Sequence, residues 1–193
     1  MTTRPETITL PHTGLQVPAD HPQIVSMSSL PTPNGTTLVA LVRFDDRDIG
    51  TIEGTTTGGD LWFRPTGSAF SPARFEEFAA QCRLHGQPVT GSQLINLLVE
   101  EWQISDQLFK AVAEGQTVAR FVIDSGTLLT LTLRIFVPPR ATGLSVAAVV
   151  PAGVVAALAQ VADDPGGHWQ VWTGTVWQQF PDHGAAEQDG SDR

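Results

Sequence analysis

The chain has 193 residues, 41% of them hydrophobic and 16% charged, with 11 Lys and Arg against 20 Asp and Glu for a formal net charge of -9. That length and balance describe one folded domain, or a domain with a smaller appendage, and exclude a disordered polyelectrolyte. The charge has the wrong sign for a nucleic-acid backbone, and no run approaches the roughly 18 apolar residues of a membrane span.

Residues 1–35 carry Pro5, Pro11, Pro18, Pro22, Pro31 and Pro33 among many Thr and Ser residues. Proline fixes φ and removes a backbone donor, so an irregular arm is expected here, with a short strand over Thr7–Leu10. From Thr36 the composition turns β-prone. Thr37–Phe44 and Asp48–Glu53 flank the turn-forming Asp45-Asp46-Arg47, and Leu61–Arg64 follows the Gly58-Gly59 turn, which predicts a three-stranded meander.

Ser71-Pro72 is a helix start and Gly86 a helix stop, with Phe75, Phe78, Ala79 and Cys82 recurring on one face between them. A second helix is expected over Ser92–Trp102 with Leu94, Leu97 and Leu98, and a third from Ser105 through Leu108, Phe109 and Val112 to Gly115. Val118–Ile123 and the strictly alternating Leu129–Val137 predict a hairpin turning at Asp124-Ser125-Gly126. Pro151 opens a fourth helix to Asp163, and His168–Phe180 reads as a last hairpin turning near Thr173-Gly174. The expected fold class is therefore α+β, with antiparallel hairpins and a meander packed against three to four helices. The 36–180 region fits one domain or two lobes, 36–115 and 116–180, equally well, and residues 181–193 read as a disordered acidic tail.

Tyrosine is absent, and cysteine and lysine each occur once, as Cys82 and Lys110. No cysteine pair is present for a disulfide, a zinc ribbon or an iron–sulfur cluster. Lys110 follows no glycine loop, and Gly50, Gly54, Gly58 and Gly59 lack the strand–turn–helix setting of a dinucleotide fingerprint, so they read as turn and close-packing glycines. No cofactor or metal is expected. With one cysteine and no apolar stretch after Arg4, the expected compartment is the reducing cytoplasm.

Several weaker groupings are weighed against ordinary structural roles. His12, His21, His85, His168 and His183 have no ligand spacing. Cys82 and His85, three apart on the expected helix, could pair as nucleophile and base but read better as a core thiol beside a helix-terminal imidazole. Gly143-Leu144-Ser145-Val146-Ala147 has the pattern of a nucleophile elbow without its strand–turn–helix context. Asp45, Asp46 and Asp48 read as a turn rather than a cation loop.

The most suggestive residues are aromatic: Trp62 on the third meander strand, and Trp169, Trp172 and Trp177 in the last hairpin. Alternation puts Trp169 and Trp172 on opposite faces, so one side of that hairpin can meet a partner while the other is core. The expected function is a non-enzymatic cytoplasmic interaction or regulatory protein that binds another protein through sheet and tryptophan surface. The alternative is a small hydrolase or metal-dependent enzyme in which at least two of His85, His168, Asp45, Asp48 and Glu101 converge in one pocket. A third, an acidic mimic of nucleic acid, requires carboxylates at phosphate-like spacing along one face.

Overall fold

A computed structural model describes residues 6–33, 35–55, 60–67, 70–123, 128–136 and 167–179. It forms two compact units, Met1–Asp106 and Gln107–Arg193. Twelve strands in three antiparallel sheets and two helices are present among the described residues. The fold class is α+β, and two helices stand among the described residues where three to four were expected of the chain.

In the first unit, strands β1 (Thr7–Thr9), β2 (Gln16–Pro18), β7 (Arg83–Leu84) and β8 (Gln87–Pro88) make one small sheet in that order. The main sheet runs β3 (Gln23–Thr32), β4 (Gly35–Phe44), β5 (Arg47–Thr55) and β6 (Trp62–Pro65). The expected meander is its β4–β6 part. The short strand expected over Thr7–Leu10 is β1, while the rest of the proline-rich segment, expected to be irregular, supplies β2 and β3, because Pro18 ends one strand and Pro31 lies near the end of an edge strand, where a ladder donor can be spared. The Asp45-Asp46 turn is a tight reversal with φ of 50° and 55°, the left-handed geometry of a two-residue hairpin loop.

Helix α1 (Pro72–Ala79) starts where the sequence places it, with the Ser71 hydroxyl accepting from the Arg74 amide at 3.3 Å. It ends seven residues before Gly86. Cys82 turns into the core, and Leu84–Gln87 closes a hairpin in which His85 and Gly86 take φ of 50° and 80°. Gly86 thus serves a hairpin turn rather than a helix stop.

Helix α2 (Gly91–Ala113) merges the two helices expected over Ser92–Trp102 and Ser105–Gly115. No glycine or proline interrupts residues 92–114, and the buried positions Ile104, Leu108 and Ala111 continue the stripe begun by Leu94 and Leu98. A reciprocal capping box opens it: the Thr90 amide donates to Gln93 Oε1 at 2.9 Å, and the Gln93 amide to Thr90 Oγ1 at 3.2 Å.

One hydrophobic cluster joins Leu15 and Val17 of the β1–β2 hairpin, Leu38, Ala40, Val42 and Ile52 of the main sheet, and Phe75, Phe78, Leu94 and Leu98 of the helices. Gly50 is built into it: a β-carbon there would press on the Arg64 carbonyl oxygen and lie 2.7 Å from the Phe63 ring. Phe63 in turn stacks on Phe75, with centroids 4.7 Å apart. A Gly50→Ala variant is therefore expected to lose about 2 kcal/mol, the usual cost of overpacking, measured as a lower urea midpoint.

In the second unit the sheet order is β10 (Leu128–Phe136), β9 (Gln116–Ile123), β11 (Gly167–Trp172) and β12 (Trp177–Gln179). Both hairpins expected from the sequence are here, joined into one sheet by the β9–β11 pairing. The expected helix over Pro151–Asp163, Ser145, His183 and the acidic tail lie outside the described residues.

Candidate interaction surface

Alternation along the main sheet sends Leu38, Ala40, Val42, Ile52 and Phe63 inward, so their neighbours Val39, Leu41, Thr51, Glu53, Trp62 and Arg64 face outward. Register places Ser28, Val39, Glu53 and Trp62 in one row across the four strands. The apolar members are left in the open: Leu30 is 64% exposed, Trp62 52% and Val39 36%. The charges on this face answer each other. Arg43 Nε donates to Asp48 Oδ1 at 2.9 Å, and Arg64 Nη1 lies 3.7 Å from Glu53 Oε2. Glu53 is further held by the Thr51 hydroxyl at 2.8 Å.

The three tryptophans of the last hairpin divide by strand face as alternation requires. Trp169 is buried, 5.3 Å from Phe121 across the β9–β11 pair, with Ala119 and Val171 beside it. It is a core residue. Trp172 and Trp177 are directly opposite each other and half-buried, with ring centroids 5.3 Å apart. The buried Arg120 stacks its guanidinium 4.2 Å over Trp177 and donates from Nε to Gln170 Oε1 at 2.9 Å. Gln170 Nε2 is 3.0 Å from His168 Nε2. The indole faces here are engaged within their own sheet, so Trp62 is the tryptophan most available to another molecule.

Within the first unit the candidate enzymatic groups are each engaged or exposed separately. Asp48 is paired with Arg43, Asp45 is exposed in the β4–β5 turn, and His85 is exposed at the β7–β8 turn. Glu101 accepts from the His12 and Thr13 amides and the Thr13 hydroxyl, a role that ties the β1–β2 loop to α2. A cavity of about 240 Å³ opens over Phe44, Phe70 and Phe78 with Asp20, Arg74 and Glu77 at its rim, and none of the candidate groups lines it. Among the described residues no three His, Cys, Asp or Glu side chains are arranged to hold a metal ion. No described helix is long and apolar enough to cross a membrane.

Cys82 is not paired with His85 on a helix as its spacing suggested, since α1 has ended before both. Its side chain is fully buried and its thiol donates to the Phe78 carbonyl at 3.5 Å. Burial pushes the thiol up to about 11 from 9.0, against the opposing pull of Arg83. At about pH 8 the folded chain then holds roughly a hundredth of the thiolate of an ordinary cysteine, so alkylation by iodoacetamide should be slowed by about that factor and recover on denaturation. Because the unfolded chain loses this proton first, the thiol's contribution to stability is complete below about pH 9 and declines as pH rises towards about 11.

Comparison with protein-family models, curated proteins and solved structures finds no match to this chain.

Proposed function

We propose that the protein is a non-enzymatic interaction protein that receives another protein on the outer face of the β3–β6 sheet, with Trp62 as its anchor. The observation that carries this reading is the half-exposed Trp62 indole in a row with Val39, beside ion pairs that neutralise the surrounding charge. An indole left in water forgoes the burial that a partner surface provides, and tryptophan is enriched among the residues that dominate protein interfaces. A reducing compartment, the cytoplasm, suits a chain whose single thiol is buried.

Affinity capture from the native host with wild-type and Trp62→Ala baits tests this. The wild type should retain a stoichiometric protein partner whose affinity falls about 30-fold in the variant, the effect of losing an interface anchor. The change in the bait's own stability should stay within about 0.5 kcal/mol, because the side chain supports no core. Equal retention by both baits, or no retained partner, sinks the proposal.

A further inference from the structure

The edge of the same sheet offers a second surface, the outer backbone of β3, three strands away from Trp62. Strand β3 is ten residues long and, among the described residues, pairs only with β4. Eight of its ten residues are exposed, including Val25 at 38% and Leu30 at 64%. The opposite edge, β6, has four residues. Long free edges are usually guarded by charge, because their unpaired N–H and C=O groups are a template for another strand. Gln23–Thr32 contains no charged residue. Its guards are a bulge between Ile24 and Ser26 and the missing donor of Pro31, which leave Ser26–Leu30 unobstructed between them. Five residues is an ordinary strand length.

Charge singles out the occupant. The chain carries a net charge of -9, so two copies repel over most approaches. This edge is the exception: β3 is neutral, and the nearby face holds its charges as the Arg43–Asp48 and Arg64–Glu53 pairs. A closed two-fold arrangement presents the same strand from both copies and leaves no free β3 edge behind. We propose that two copies of this chain pair antiparallel through Ser26–Leu30 of β3, continuing two four-stranded sheets into one of eight strands. With the two-fold axis at Ser28, Ser28 of each copy faces Ser28 of the other, and Leu30 faces Ser26.

Charge-swap variants at Ser28, an exposed side chain, test the pairing without touching the core. Sedimentation velocity on the full chain should show a dimer that dissociates on dilution through the micromolar range. Ser28→Lys alone and Ser28→Asp alone should each weaken it about fivefold, since like charges then sit directly opposite, and an equimolar mixture of the two should restore it. Trp62→Ala should dimerise as the wild type does, so failure here and failure of the Trp62 reading are told apart. A wild type that stays monomeric, a dimer indifferent to the charge swap, or a dimer abolished by Trp62→Ala would overturn the proposal. Thermal melts of each variant in its monomeric range check that the fold is retained.

Discussion

Replacing Phe75 by alanine is expected to cost the first unit about 4 kcal/mol, the largest loss for any single truncation considered for this chain. The ring is 2% exposed and stands at the crossing of sheet and helix. It stacks on Phe63 at 4.7 Å and meets Phe70 edge-on at 6.3 Å, so its removal strips contacts from two further rings as well as opening a cavity. The sheet and α1 are each pinned by backbone hydrogen bonds and cannot collapse into the space, which places the cost towards the upper part of the usual range. Urea unfolding followed by far-ultraviolet circular dichroism should show a lowered midpoint with an unchanged slope. A loss below about 1 kcal/mol would mean that the phenyl cluster does not organise this core. Trp62→Ala, nearby in sequence but on the opposite face of the sheet, supplies the contrast.

That contrast was legible in the sequence for α1 and only partly for the strands. Phe75, Phe78, Ala79 and Cys82 recur at helical spacing, and all four are buried, although the helix itself stops at Ala79. Periodicity reports which side chains face the core; it does not report that the last of them reaches it from a turn. Strand β3 escaped detection for a specific reason. Ile24 and Met27 both lie on the core side, opposite Val42 and Ala40, but the bulge between Ile24 and Ser26 sets them three apart instead of two or four. The period-two signal is erased by one inserted residue. The merging of the two expected helices into α2 has a similar origin. Ser105 can cap a helix or sit inside one, and only the continued burial of Ile104 and Leu108 decides between these roles.

The candidate surface shows the same division. Alternation alone separates Trp169 from Trp172, as the structure places them. What it cannot supply is the pairing of Trp172 with Trp177 and the stacking of Arg120 on the latter, because these depend on hairpin register and on a residue distant in sequence. Trp62 stood out by type, and its outward direction follows from Phe63 facing the core beside it.

Glu101 is the residue whose role was hardest to foresee, and its replacement by alanine should cost about 3 kcal/mol. It lies seven and three residues after Leu94 and Leu98, which sets a carboxylate on the apolar stripe of α2. A carboxylate in that place needs partners, and they come from 88 and 89 residues earlier. Oε2 accepts from the Thr13 amide and hydroxyl at 2.8 Å, and the His12 amide is shared between both oxygens at 3.2 Å. The loop that donates is tight, with Leu10 donating to the Leu15 carbonyl at 2.8 Å and Gly14 to that of Leu10 at 3.0 Å. The His12 and Thr13 amides point to the helix instead, while that of Leu15 donates to Thr13 Oγ1 at 3.4 Å. Removing the acceptor leaves those donors partly shielded from water and unpaired, which costs more than the bonds themselves contribute. Glu101→Gln keeps one carbonyl oxygen of the right size without the charge, so about half of the loss should return. Amide exchange locates the effect: Thr13 and His12 should exchange faster in Glu101→Ala, while Ala40 and Ile52 in the main sheet should accelerate only as far as the global loss requires. A uniform loss with no added opening at Thr13 would mean that the carboxylate supports α2 alone. Local opening at the loop would establish that this side chain fastens the β1–β2 loop to α2, in addition to the β2–β7 pairing and the burial of Leu15 and Val17.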